Sequence, residues 1–470
     1  MAFFELNYVF GIHFGLHNCS IAYDDRIGGV IFFSQGNSAV TFPSIVYVPE
    51  QPRLKYLVCD TAESKSTNVI QETRRLLGTK IDDPQIQELI RTKHFPFCDI
   101  VADEDNNIML QYNEAGAIVR KYPWELCAMI LRHLHDLVCR RFNCNSGMKV
   151  GAVVTVPVYF THFQRAEMAR AGEAAGFEVL QIFNEPTAVA AAMGMSRQGE
   201  RRFLVFDFGG ATLDVAVMET REVEEKQTLT VLSSFSDAFL GGDDFDRAIA
   251  DILMQKLETE FPGEYDEGFP VGDWPAARRK RDHNTLAVRR LAKRLKEDFF
   301  SKGQNGRCWL MDLSLARGGD EAVDISYAEF LEATAPLFDR CVDCLVTALA
   351  RANVPLDTVA QVVMVGGSSK LLEVQQRLKR LFPRDVVQWT QSPELTIAEG
   401  AAMFASTLHR CARPVMLLAD DEVQSVSKAE VQTSKRRDCD LRPRVFGEPI
   451  SPKDLRELVE MKKAALAPTE

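Results

Sequence analysis

Two glycine-punctuated stretches hold the residues best able to do chemistry. Residues 9–23 read V-F-G-I-H-F-G-L-H-N-C-S-I-A-Y, and residues 203–217 read F-L-V-F-D-F-G-G-A-T-L-D-V-A-V. Laid over each other, Phe14 meets Phe208, Gly15 meets Gly209, and Ile21-Ala22-Tyr23 coincides with Val215-Ala216-Val217. Each copy is an apolar strand, a glycine turn and a second strand, the pattern of a β-hairpin. Glycine in such a turn permits positive φ and lets backbone N–H groups crowd towards an anion. The duplication predicts two similar lobes, each offering a turn to one ligand. It also sets His13 opposite Asp207, an imidazole against a carboxylate. Neutral imidazole has one acceptor nitrogen, and imidazolium has none.

Such turns need strands and helices behind them. Val153-Val154-Thr155-Val156 reads as a buried strand stopping at Pro157, with a helix predicted over about 161–175. Val362-Val363-Met364-Val365 is another such strand, ending in Gly366-Gly367-Ser368-Ser369. The helix predicted after it carries Leu371, Leu372, Val374, Leu378 and Leu381 on one face. Strand, glycine turn and helix N-terminus form either an anion or polar-ligand site or a plain βα turn. Arg278-Arg279-Lys280-Arg281 and Arg289 to Lys296 predict a basic helix. It is a solvated face, a contact for nucleotide phosphates, or a surface for RNA. After about Arg413 the chain turns polar, and residues 420–444 read as disordered. Ser451-Pro452-Lys453-Asp454 then starts a short amphipathic helix, predicted over 452–466.

The 470 residues carry 55 Lys+Arg against 66 Asp+Glu, a formal charge of −11, with 46% hydrophobic and 26% charged residues. Wholesale disorder is excluded, and at roughly 100–200 residues per domain two to four structural units are expected. No window reaches ~18 uninterrupted apolar residues, so no membrane-spanning helix is expected. Met1 to Phe10 lacks a basic lead and a small-residue cleavage site, which argues against a secretory signal. The acidic balance argues against general coating of nucleic acid, and no DNA partner is expected. Eleven cysteines, an odd number scattered from Cys19 to Cys439, read as reduced thiols of a cytoplasmic protein rather than zinc ligands or disulfides.

Several stretches form an ordered series: Val153 to Phe160, Asn184-Glu185-Pro186-Thr187-Ala188, Phe206 to Asp214, Leu240 to Asp246, Val365 to Ser369, and Ala398-Glu399-Gly400-Ala401-Ala402. The series resembles the nucleotide-binding domain of heat shock protein 70 chaperones, within the actin-like ATPase superfamily, from about Tyr8 to Leu408. The resemblance implies an α/β fold of two duplicated lobes around a cleft holding ATP or ADP with Mg²⁺. Lobe I would span 8–200 with an outer subdomain at about 43–122, and lobe II 201–393 with an outer subdomain at about 241–326. A helix over 394–410 would return to lobe I, before a linker-like, largely disordered tail over 411–470. Gly209, Gly210, Ala211 and Thr212 match the family's second phosphate loop, and Gly366, Gly367 and Ser368 its later glycine turn. Asp207 and Asp214 match the acidic positions near the metal, which takes oxygen ligands, often through water. Glu185 matches the glutamate near the attacking water. Pro157 and Arg165 match the relay from cleft to surface.

The departures from the family are specific. His13 stands where the family has aspartate, and Leu16 and His17, after Gly15, replace two threonines. Arg74 replaces the catalytic lysine, keeping its charge but not its point-charge geometry. On the adenosine side Lys293, Lys296, Glu297 and Phe300 align with the family's glutamate, lysine, arginine and serine, and Lys370 with its arginine. Losing one transition-state hydrogen bond costs ~3 kcal/mol, about a hundredfold in rate. Nucleotide binding without efficient turnover is therefore expected, with Glu185, Arg74 and Asp207 as a weakened catalytic set. Pro414 to Asp420 resembles the interdomain linker, and 470 − 420 = 50 residues follow it. That is too few for a peptide-binding β-sandwich, so direct clamping of unfolded peptides is not expected.

These departures resemble the atypical ribosome-associated branch of the family, to which Gly11-Ile12-His13-Phe14-Gly15 and Ser20-Ile21-Ala22-Tyr23 are especially similar. The resemblance implies a chaperone regulator paired with a J-domain co-chaperone. Another chaperone, the ribosome and a nucleotide-exchange factor would be further partners, with no membrane partner. The alternatives are an active ATP-hydrolysing chaperone, truncated or with its substrate domain supplied in trans, a small-molecule kinase of the superfamily, and a scaffold that binds no nucleotide.

Overall fold

In the computed structural model the described residues are 6–25, 27–34, 39–49, 56–59, 68–92, 94–95, 97–144, 148–195, 199–223, 226–260, 288–309, 322–383 and 385–410. They fall into two units. The first holds the described residues up to Val205, Met218–Ser234, and those from Thr390 on; the second holds Phe206–Val217 and Phe235–Trp389.

In the first unit, β1 (Tyr8–Phe14) and β2 (Asn18–Asp24) form the first hairpin, closed by Phe14 opposite Cys19. β3 (Val30–Phe32) and β4 (Phe42–Pro43) both pair with β2. Two small sheets follow: β5 (Ile45–Tyr47) with β6 (Leu57–Val58) and β7 (Val69–Gln71), then β8 (Asp99–Ala102) with β9 (Ile108–Glu114) and β10 (Ala117–Lys121). α1 (Pro84–Arg91) separates them in sequence. Next come α2 (Pro123–Phe142), β11 (Val150–Val156), α3 (His162–Ala174), β12 (Glu178–Asn184) and α4 (Glu185–Ala192).

The main sheet runs β12-β11-β1-β2-β3, with β11 parallel to both neighbours. Every residue of β11 is buried, which is why it reads as a near-continuous apolar run rather than an alternation. Helix ends follow side-chain chemistry. α3 begins at Thr161, whose hydroxyl accepts from the Gln164 N–H while Gln164 reaches back to Thr161 N–H. α2 stops at Asn143, which takes the left-handed conformation at φ 51°.

The second main sheet has the order β15-β14-β13-β18-β19, built from β13 (Arg201–Phe208), β14 (Leu213–Val223), β15 (Lys226–Asp237), β18 (Val359–Val365) and β19 (Val387–Trp389). β13 and β14 are the second hairpin. Around it lie α5 (Gly242–Glu260), a basic helix α6 (288–298), the β16 (Gly306–Trp309) and β17 (Ala322–Ile325) ribbon, α7 (Tyr327–Ala352) and α8 (Leu372–Leu381). α5 packs on α7 through Phe245 and Phe338, with ring centroids 4.9 Å apart. α9 (Thr396–Arg410) returns to the first unit. A Cβ on Gly11 would strike the backbone of Ala401 and Ala402, and one on Gly400 would strike that of Ala188. Both glycines therefore allow backbone-to-backbone packing of α9 on β1 and α4.

Local expectations change in three places. The Gly366–Ser369 turn does not open directly into a long helix, because Gly367–Lys370 is a 3-10 turn and α8 begins at Leu372. On α8 Leu372 is only half-buried, while Glu373 is buried beside Val374, Leu378 and Leu381, its carboxylate held 2.7 Å from Arg377 Nε. Cys341 and Cys344 form a Cys-x-x-Cys pair that treating the cysteines as scattered overlooks. Both are buried on α7, and burial pushes Cys344 up to about 12 and Cys341 upward too, so they are inert core thiols. Residues 278–287 of the basic stretch, the linker-like Pro414–Asp420 and the helix predicted over 452–466 lie outside the described residues. Among the described residues no helix is long and apolar enough to cross a membrane.

Candidate functional site

The first unit gathers one polar cluster at the C-terminal end of β1. His13 pairs in register with Thr155 of β11 and Ser20 of β2. Its Nδ1 lies 3.3 Å from Thr155 Oγ1 and 3.7 Å from Glu185 Oε1. Burial pushes the His13 pKa down to about 4; Glu185 opposes that shift and Arg74 reinforces it. His13 is therefore a neutral imidazole at physiological pH. Arg74 rides on the short 3-10 helix Thr73–Leu76, and its Nη1 donates to Glu185 Oε1 at 2.7 Å. Arg74 is 4% exposed and Glu185 3%, so the two proposed catalytic residues form a buried ion pair with each other.

The rest of the first turn is packed rather than donor-rich. Leu16 is buried, and His17 Nε2 lies 3.6 Å from Glu72 Oε1. Gly15 does not adopt positive φ; it is needed because a Cβ there would strike the Asn18 carbonyl. Pro157 and Arg165 do come together. Arg165, carried by α3, donates to the carbonyls of Pro157, Val158 and Phe160 and, at 2.8 Å, to Asn184 Oδ1. Asn184 is the residue before Glu185, so this contact ends one peptide from the Arg74–Glu185 pair.

In the second unit the hairpin turn is closed by Gly209 N–H donating to Thr212 O at 3.0 Å. The start of α5 fixes it from outside: Gly242 N–H donates to Gly209 O at 3.1 Å and Asp243 N–H to Gly210 O at 2.8 Å. Ser368 Oγ donates to the same Gly209 carbonyl at 2.8 Å, which joins the later glycine turn to the hairpin. Gly366 is the glycine here whose conformation demands it, at φ +80°, and a Cβ would strike the Phe208 carbonyl. Gly209 and Gly210 are not in the left-handed region. Ala211 is buried, and the Thr212 hydroxyl donates to Asp214 Oδ2 at 3.2 Å, so it points at that carboxylate. Ser236 donates to the other Asp214 oxygen.

The predicted adenosine-side residues separate into two groups. Lys293 and Glu297 are exposed on α6, and Lys370 is exposed at the end of its 3-10 turn. Lys296 is buried, donating to Gly242 O at 2.8 Å and to Asp246 Oδ2 at 2.7 Å. Burial outweighs this partner and pushes the Asp246 pKa up to about 6. Phe300 is a correction. It is completely buried and stacks on Phe330, centroids 4.6 Å apart and planes 11° apart, so it belongs to the core and offers no surface to a ligand. Asp246 and Ser236 find their partners only through tertiary packing, whereas Glu72 has a local partner in Arg75, three residues on, and meets His17 and His94 only in the fold.

The family described as Hsp70 protein matches residues 9–433. This chain belongs to the Hsp70 family. Its α/β fold is the family's nucleotide-binding domain. It is 32% identical over 394 residues to heat shock 70 kDa protein 2 of Paracoccidioides lutzii, covering 82% of this chain and 55% of that protein. It is 30% identical over 405 residues to a ribosome-associated molecular chaperone of Eremothecium gossypii, covering 85% and 61%. A heat shock 70 kDa protein of Neurospora crassa is 31% identical over 388 residues, covering 81% and 55%. The alignments thus span little more than half the length of these curated relatives.

Proposed function

We propose that this chain binds ATP or ADP but hydrolyses it poorly, acting as a chaperone regulator with a J-domain partner. The observation that carries this reading is the state of the first turn. A neutral His13 occupies the position for a carboxylate, and Arg74 is held by Glu185. The second turn supports binding, with the Gly209–Thr212 backbone braced by α5 and by Ser368 and with Gly366–Gly367 beside it. Lys296, Lys293, Glu297 and Lys370 supply polar groups for the nucleoside.

Asp207 and Asp214 provide an all-oxygen donor set that fits Mg²⁺, which retains several waters and needs few protein carboxylates. Asp214 accepts two hydroxyl donors here, so its carboxylate is already oriented. The first turn adds no carboxylate at His13, and this is where hydrolysis should fail. Losing a transition-state donor costs about 3–4 kcal/mol, or roughly 10²–10³ in rate. The name of the Eremothecium gossypii relative describes a ribosome-associated chaperone, which motivates the ribosome as a further partner and a cytoplasmic setting.

Calorimetric titration of ATP and ADP with Mg²⁺, beside single-turnover hydrolysis with and without a J-domain protein, tests this. Binding of both nucleotides with turnover at least about 100-fold below a family member with the aspartate and lysine is the expected result. J-domain-stimulated turnover at the ordinary family rate would instead favour an active chaperone ATPase.

A further inference from the structure

Glu72 lies between two elements of the first unit that the proposed chemistry uses, and it is built unlike its neighbours. It is 4% exposed, yet its backbone is left-handed at φ 55°, ψ 23°, a conformation that is costly for a residue with a Cβ. Its carboxylate meets three cationic or imidazole groups from three segments. Arg75 approaches one oxygen with Nε at 2.9 Å and Nη2 at 2.8 Å, and His94 Nε2 lies 3.1 Å from the same oxygen. His17 Nε2 lies 3.6 Å from the other oxygen. These partners hold the Glu72 carboxyl well below the usual carboxylate range despite its burial, so it is an anion.

We propose that Glu72 is the positioning residue of the first turn. Its carboxylate clasps the Gly15–Asn18 turn, through His17, to the Thr73–Leu76 helix that delivers Arg74, with His94 closing the clasp from the segment after α1. The left-handed backbone fits this role, because it starts the 3-10 helix at the residue whose side chain must turn back to meet Arg75 and His17. The functional consequence, a preorganised first turn, rests on the nucleotide-binding reading given above. The clasp itself does not.

The test uses the full chain and the variants Glu72→Gln, Glu72→Gly and His94→Leu. Glycine relieves the backbone while removing the carboxylate, glutamine removes only the charge, and leucine removes one arm from the half-buried His94 and spares the turn. Hydrogen exchange is read on the amides of 14–19 and 73–77, with 207–214 as the internal control. All three variants should accelerate exchange in the first two segments by about tenfold or more, because each weakens the electrostatic contacts that converge on the Glu72 carboxylate, and leave the control unchanged. Should Glu72→Gln or Glu72→Gly fail to fold, His94→Leu decides alone. Unchanged or slower exchange in 14–19 in the folded variants would overturn the clasp. ATP affinity is measured in parallel, and about a tenfold loss is expected in the Glu72 variants. If the unaltered chain binds no nucleotide, the binding reading falls while the exchange result still decides the clasp.

Discussion

His13 makes the stability of the first unit depend on pH in a direction that can be worked out in advance. Its pKa falls from the ordinary 6.5 to about 4 because burial disfavours the charged ring. Between those values the unfolded chain binds a proton that the folded unit refuses, so stability rises with pH across this window and is lost as pH falls through it. A shift of about 2.5 units at 1.36 kcal/mol each gives about 3 kcal/mol in full, of which about 2–3 kcal/mol should be lost between pH 7 and pH 4.5. Asp246 works the other way in the second unit. Its folded pKa of about 6 lies above the unfolded carboxylate value, so its contribution grows as pH falls through 6 and is complete below about 4. A whole-chain melt would mix the two signs. The assay is therefore urea unfolding read by hydrogen exchange in β1 and β11, at pH 7 and pH 4.5, for the natural chain and His13→Asn. The natural chain should lose about 2–3 kcal/mol more than the variant. Parallel losses would refute the claim that His13 is held neutral by burial.

Glu185→Ala removes the carboxylate held 2.7 Å from the buried Arg74 guanidinium, and should cost the first unit about 3–5 kcal/mol in urea unfolding. Glu185→Gln keeps an acceptor and should cost less; an Ala loss under about 1 kcal/mol would mean that Arg74 turns out to water. On α6, Arg289 and Lys293 are both exposed, and the double change Arg289→Glu, Lys293→Glu should abolish any salt-sensitive co-sedimentation with ribosomes. Unaltered pelleting would leave α6 as a solvated face.

Features set by local pattern were legible in the sequence. The first hairpin shows because strand, glycine turn and strand alternate within fifteen letters, and β11 shows because burial on both faces leaves an unbroken apolar run. Thr161 announces α3 because its hydroxyl and Gln164 sit three apart. The reason for each glycine was less visible. Positive φ suits Gly366, whereas Gly15 is required by the nearness of the Asn18 carbonyl, a contact that no spacing rule contains. Phe300 misled because it aligns with the serine of the family's adenosine clamp, while its ring answers to Phe330, thirty positions later.

Lys296 shows how the two kinds of information combine. Its alignment with the family's lysine pointed it at a nucleotide, yet its ammonium is engaged with Asp246 and with the Gly242 carbonyl. An ammonium has three donors, and these contacts use two. The third is left for the nucleoside that the proposed function places here, and the contact to Gly242 steadies the start of α5, whose N–H groups brace the Gly209–Gly210 turn. A lysine tied to the scaffold in this way keeps the second turn ordered independently of the first, and the nucleoside contact is the part that belongs to the proposed function. It also means that nucleotide affinity and the local stability of the second unit should respond together to any change at this position.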